Sequence, residues 1–115
     1  VKPSVHPADE PIIAAAFDAA VNMTAEEIED WLETEMSRAV GMIRPGERES
    51  VGRQSARRIV AILGKASADL TEGDYAHMRK VVGYVKRHGA QRPRGDVTLT
   101  RWRYSLMNWG HDPLK

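Results

Sequence analysis

Cysteine is absent from the 115 residues, which removes disulfides, thiolate metal sites and thiol nucleophiles, and points to a reducing, cytoplasmic setting. Long apolar runs are missing too. The longest, Pro11 to Phe17 and Ile59 to Leu63, fall far short of the roughly 20 residues that span a bilayer, so no membrane partner is expected. No basic stretch leads into an apolar segment and a cleavage site, so no signal peptide is expected either. Strand-like alternation goes no further than Asp96 to Thr100, and there is no internal repeat or low-complexity tract. The four histidines, His6, His77, His88 and His111, form neither a His-x-x-x-His nor a His-Glu-x-x-His pattern, and His77 and His88 would stand about 16 Å apart on one helix. No metal or other cofactor is expected. The glycines between Pro45 and Gly52 lack the Gly-Lys-Ser/Thr ending of a phosphate-cradling loop. His111-Asp112 reads as a helix-end cap rather than a catalytic dyad, and the acidic run from Glu26 to Glu35 as a solvated helix face. A non-enzymatic role is expected.

What is present is an ordinary globular composition, 42% hydrophobic and 29% charged, in a chain long enough to bury roughly two-thirds of its unfolded surface. The net charge of +1 conceals a strong asymmetry. Residues 1–50 carry four Lys/Arg against eleven Asp/Glu, a balance of −7; residues 51–115 carry thirteen against five, a balance of +8. A polyanionic partner for the basic half is one reading. The other is that the two halves satisfy each other.

The periodicity predicts five helices. The first opens at Asp9 with Pro11 in its first turn and carries Ile13, Ala16, Phe17 and Ala20 on one stripe. Thr24 and Glu27 form a capping box for a second helix reaching Met36, with Ile28, Trp31, Leu32 and Met36 inward. Gly41 to Gly52 reads as an exposed loop. A third helix, Arg53 to Leu63, places Ser55, Ile59, Ile62 and Leu63 inside and Arg53, Arg57 and Arg58 outside or at the border, and Gly64 ends it. Thr71 and Asp74 start a fourth helix that reaches His88; Ala90 to Gly95 is a basic turn. The last helix, Leu99 to Trp109, buries Leu99, Trp102, Leu106 and Trp109, leaves Tyr104 exposed, and stops at Gly110 before Pro113. The expected fold is all-α: a compact bundle of about five short helices in a single domain over residues 1–115, with 1–8 as a flexible N-terminal arm.

The fourth helix carries the functional argument. At about 100° per residue, Tyr75, Met78, Val81, Val82 and Val85 share one arc, while Arg79, Lys80, Gly83, Lys86 and Arg87 share the opposite one. A helix-interior glycine costs about 1 kcal/mol relative to alanine, so Gly83 implies a benefit. Either it lets a phosphate backbone approach between the cations, or it lets another helix cross closely. So dense a cluster of like charge needs an anionic partner, inside the protein or outside it. The first candidate is DNA, with RNA as the alternative nucleic acid. Arg79, Lys80, Lys86 and Arg87 would be its main phosphate contacts, and Arg57, Arg58, Arg92 and Arg94 auxiliaries within a cluster that also includes Arg101 and Arg103. Little sequence preference is expected, because no Asn or Gln recurs along the basic face. Such a protein would associate with the nucleoid. The second candidate is an interaction or self-associating module, a homo-oligomer included, that pairs its acidic second helix with its basic fourth.

Four segments carry a resemblance. They are Asn22-Met23-Thr24 with Glu29-Asp30-Trp31-Leu32; Ser55-Ala56-Arg57-Arg58-Ile59-Val60-Ala61-Ile62-Leu63; Asp74 through His88; and Tyr104-Ser105-Leu106-Met107-Asn108-Trp109-Gly110-His111-Asp112-Pro113. Over residues 12–115 the chain resembles a bacterial family of small uncharacterised proteins, with fungal versions, whose members are a domain of unknown function often labelled DNA-binding. The resemblance implies DNA binding and carries no catalytic or binding residues over to this chain. Where family members typically have Leu after the Arg-His pair, this chain has Gly89.

Overall fold

In the computed structural model, which describes residues 5–115, every α-helix after the first starts at a side chain that accepts a hydrogen bond from an otherwise unpaired amide of the first turn. A short 3-10 turn, Pro7–Asp9, leads into α1, Glu10–Ala20. Thr24 starts α2, Ala25–Leu32, through a capping box with Glu27, and Thr71 starts α5, Glu72–Gly89, through one with Asp74. Both boxes are as expected. Three further caps lack an acidic partner: Thr34 for α3 (Glu35–Arg38), Ser50 for α4 (Val51–Leu63) and Thr100 for α6 (Arg101–Asn108). The described residues thus form six α-helices and no strand.

The unrecognised caps account for most departures from expectation. Thr34 Oγ1 accepts from Ser37 N and donates to Trp31 O, so the expected second helix breaks after Leu32 and resumes in a new phase. Ser37 rather than Met36 therefore faces inward, and Met36 is exposed. Thr100 starts α6 one residue after Leu99, which lies outside the helix and is 80% exposed rather than buried. Leu63, in the last turn of α4, is exposed too. Tyr104 is half-buried, not exposed, with its ring 5.6 Å from that of Trp31. Of the expected N-terminal arm, residues 1–4 lie outside the described residues; Val5 is buried.

α1 packs mainly along α5, and α2 on α4, α6 and α3. Phe17, Ile28, Trp31, Ile59, Met78 and Val81 lie in the main core, and Val97, Trp102 and Leu106 form a smaller one beside it. Arg53, expected outside or at the border, is 6% exposed. It donates to Leu32 O at 2.8 Å and Ser37 Oγ at 2.7 Å, and its charge meets Glu49 at 3.2 Å. Ser37 Oγ in turn donates to Asn108 Oδ1 at 2.6 Å, which also accepts from Trp31 Nε1 at 2.8 Å. This buried network ties α2, α3, α4 and α6 together. Burying such groups is tolerable because each finds a partner.

Candidate functional site

The outer face of α5 follows the arc expected from the sequence. Arg79, Lys80, Lys86 and Arg87 are all exposed on it. Arg79, Lys80 and Arg87 rim a recess of about 230 Å³ whose lining also includes Ala76, Gly83 and Val5. The space left by Gly83 is occupied by neither a crossing helix nor open solvent: a Cβ there would stand 2.9 Å from Arg87 Nη1. The guanidinium one turn further along the helix folds back over the glycine. Small residues beneath and cations around the rim make a hollow suited to a group with several negative oxygens.

The eight sequence-predicted contacts differ in how they are engaged. Arg57 makes a bidentate pair with Glu49, with Nη2–Oε2 at 2.8 Å. Arg58 lies 3.4 Å from Asp74, and Arg79 reaches Asp9 only at 4.0 Å. Lys80, Lys86, Arg87, Arg92 and Arg94 make no ion pair among the described residues. The Arg92 guanidinium instead sits 5.4 Å from the centre of the Trp102 ring, a cation–π contact. Arg103 is half-buried, bonded to Asp112 through two nitrogens and to Thr98 O. The structure thus gathers Arg79, Lys80 and Arg87 around one hollow and leaves Arg57 and Arg58 neutralised on α4.

The acidic face does not meet this one within the chain. α2 carries Glu26, Glu29 and Asp30 exposed, with Glu33 just past its end, and none of them forms an ion pair among the described residues; Glu27 alone pairs, with Lys115 at 2.6 Å. Close packing of α2 is with α3, α4 and α6.

Asp74 and His77 have perturbed acidities. Burial raises the Asp74 carboxyl, but hydrogen bonds from Lys65 and Thr71 outweigh it and hold the group at about 2. His77 is pushed down to about 4 by burial first and then by the charges of Arg58 and Lys80, with Asp74 opposing. Its Nε2 lies 2.9 Å from Ser55 Oγ. Ser55 is buried, so this serine–histidine pair joins α4 to α5 inside the molecule. His88 Nε2 donates to Trp102 O at 3.2 Å, and Tyr84 stacks between His88 and Trp109. Among the described residues no three His, Asp or Glu side chains group as metal ligands, and no helix is long and apolar enough to cross a membrane.

A clasp between distant segments went unread in the sequence. Asn22 Nδ2 donates to Asp112 O at 2.9 Å, while Asp112 N donates to Asn22 Oδ1 at 2.7 Å. Met23 N reaches Gly110 O at 3.2 Å, and His111 Nδ1 donates to Ala20 O at 2.7 Å. Asp112 and His111 therefore tie the C-terminal segment to the α1–α2 junction. The one available signal was the presence of both segments in the resemblance; their pairing carries no local mark.

These features define a small all-helical domain whose C-terminal segment is tied to the junction of α1 and α2. The chain belongs to the family described as "protein of unknown function (DUF3140)", whose model matches residues 16–107. No curated protein and no solved structure matches it.

Proposed function

We propose that this protein binds DNA through its phosphates, non-enzymatically and with little sequence preference, using the outer face of α5. The observation that carries the reading is the hollow rimmed by Arg79, Lys80 and Arg87, with Lys80 and Arg87 unpaired among the described residues. A phosphate oxygen seated there would accept from guanidinium and ammonium donors together, the charge-assisted bonds that dominate sequence-independent affinity. Lys86 and Arg94 extend the contact, and Arg92 does so from its seat on Trp102. Arg57 and Arg58 act as auxiliaries, because a phosphate must compete with Glu49 and Asp74 for them. The resemblance to bacterial and fungal proteins often labelled DNA-binding, with its closing Asn-Trp-Gly-His-Asp-Pro segment, points the same way. On this reading the protein is cytoplasmic and nucleoid-associated.

Fluorescence anisotropy with a short duplex tests the proposal. About four phosphate contacts predict that a fourfold rise in salt weakens binding roughly a hundredfold. Replacing Lys80, Lys86 and Arg87 by Glu should abolish binding and leave the circular dichroism melt intact, since none of them supports an internal pair. Salt-independent affinity, or unchanged binding by the charge-reversed protein, overturns it. A single-stranded RNA competitor that wins over the duplex would assign RNA instead.

A second reading rests on the outward, unpaired carboxylates of α2. Two copies could pair the acidic face of one with the basic face of the other. Light scattering distinguishes it: an oligomer at low salt that dissociates as salt rises, with no DNA complex, favours self-association.

A further inference from the structure

A second hollow, of about 250 Å³, lies where the start of α4 meets α5 and α6, away from the basic rim. We propose that it binds a small uncharged molecule with an apolar body and one carbonyl-type hydrogen-bond acceptor. Its wall includes Val51, Gly52, Tyr84, Asn108 and Trp109, with Met42 among the lining residues and itself exposed to solvent. Among the described residues no charged side chain lines it, so an ion entering would lose its hydration without a counter-charge. The volume exceeds the roughly 150 Å³ of an apolar cavity that admits benzene.

Two donors make this more than a gap in the packing. Trp109 is 6% exposed, yet its indole N–H has no hydrogen-bond partner among the described residues, whereas Trp31 and Trp102 donate to Asn108 and to His88 O. No side-chain nitrogen shut off from solvent lacks a partner among the described residues, so this N–H is open to solvent rather than sealed in the core. Asn108 Nδ2 gives one hydrogen to Ser37 O, and its second is unassigned among the described residues. Both nitrogens border the space that Gly52 leaves open: a Cβ there would stand 3.2 Å from Trp109 Nε1 and 3.6 Å from Asn108 Nδ2. The glycine thus leaves both nitrogens beside the edge of an apolar chamber. An amide or ketone oxygen satisfies both, while the rest of the molecule takes the apolar wall. Met42 is a flexible thioether that can adapt to its shape.

Two-dimensional amide NMR of the labelled protein provides the test, with benzamide as the probe. Titration should shift the Trp109 indole resonance saturably and leave the two bonded indoles in place. Toluene, lacking the acceptor, should not move it downfield, and benzoate should not compete. Gly52→Ala should lose the shift. If circular dichroism shows that this variant does not fold, Met42→Trp, a change at an exposed residue, should block entry while keeping the wild-type melt. An indole resonance unmoved by benzamide overturns the proposal, as do equal binding of benzoate and unaltered binding by the folded variant.

Discussion

At the scale of single residues, Gly83 links stability to binding. Alanine favours the helix by about 1 kcal/mol, and among the described residues the only group it crowds is the end of a flexible arginine, Arg87 Nη1 at 2.9 Å. Gly83→Ala should therefore raise the thermal midpoint while displacing Arg87 from the hollow and weakening DNA binding. Melting curves and anisotropy on the same preparation check both directions at once. A fall in both would mean that the glycine serves the packing alone. The cations of α5 were legible because a helix face follows from spacing. The state of Arg57 and Arg58 was not, because Glu49 and Asp74 reach them from other segments. The burial of Arg53 is illegible for the same reason: it depends on Leu32 O and Ser37 being brought beside it.

Among elements, the difference between a capping box and a bare cap decided what could be read. Thr24 and Thr71 announce themselves through Glu27 and Asp74 three residues on. Thr34, Ser50 and Thr100 have Ser37, Arg53 and Arg103 at that position and use only their hydroxyl oxygens. With no acidic residue three positions on, Thr100 gives no start signal, and periodicity alone carries the last helix on to Leu99. The two leucines now make a direct comparison. Leu106, fully buried, should cost about 2–5 kcal/mol on replacement by Ala. Leu99→Ser should change stability by less than about 0.5 kcal/mol. Urea midpoints of the two variants measure this, and a large loss at Leu99 would contradict the cap at Thr100.

For the molecule as a whole, stability should fall in two stages as the solution is acidified. His77 takes its proton at about 4 in the native state against 6.5 ordinarily, so the unfolded chain binds that proton first and stability declines from pH 6.5 towards 4. Asp74 stays ionised to about 2 against 3.8, so a further decline follows from pH 3.8 towards 2. Urea midpoints across this range should show both, and His77→Gln should remove the upper stage. The segregation of charge along the chain persists in three dimensions as two outward faces, on α2 and α5, with no ion pair joining them among the described residues.

The sequence by itself determined the all-α class, the boxed helix starts, the apolar stripes and the cationic arc of α5. All of these depend on groups three or four residues apart, within reach of one helical turn. Only the tertiary structure decided which arginines are neutralised, how Asn22 closes on Asp112, and that Gly52 stands beside the Trp109 and Asn108 nitrogens. Those outcomes join residues as many as 90 positions apart, and no local spacing encodes such a meeting.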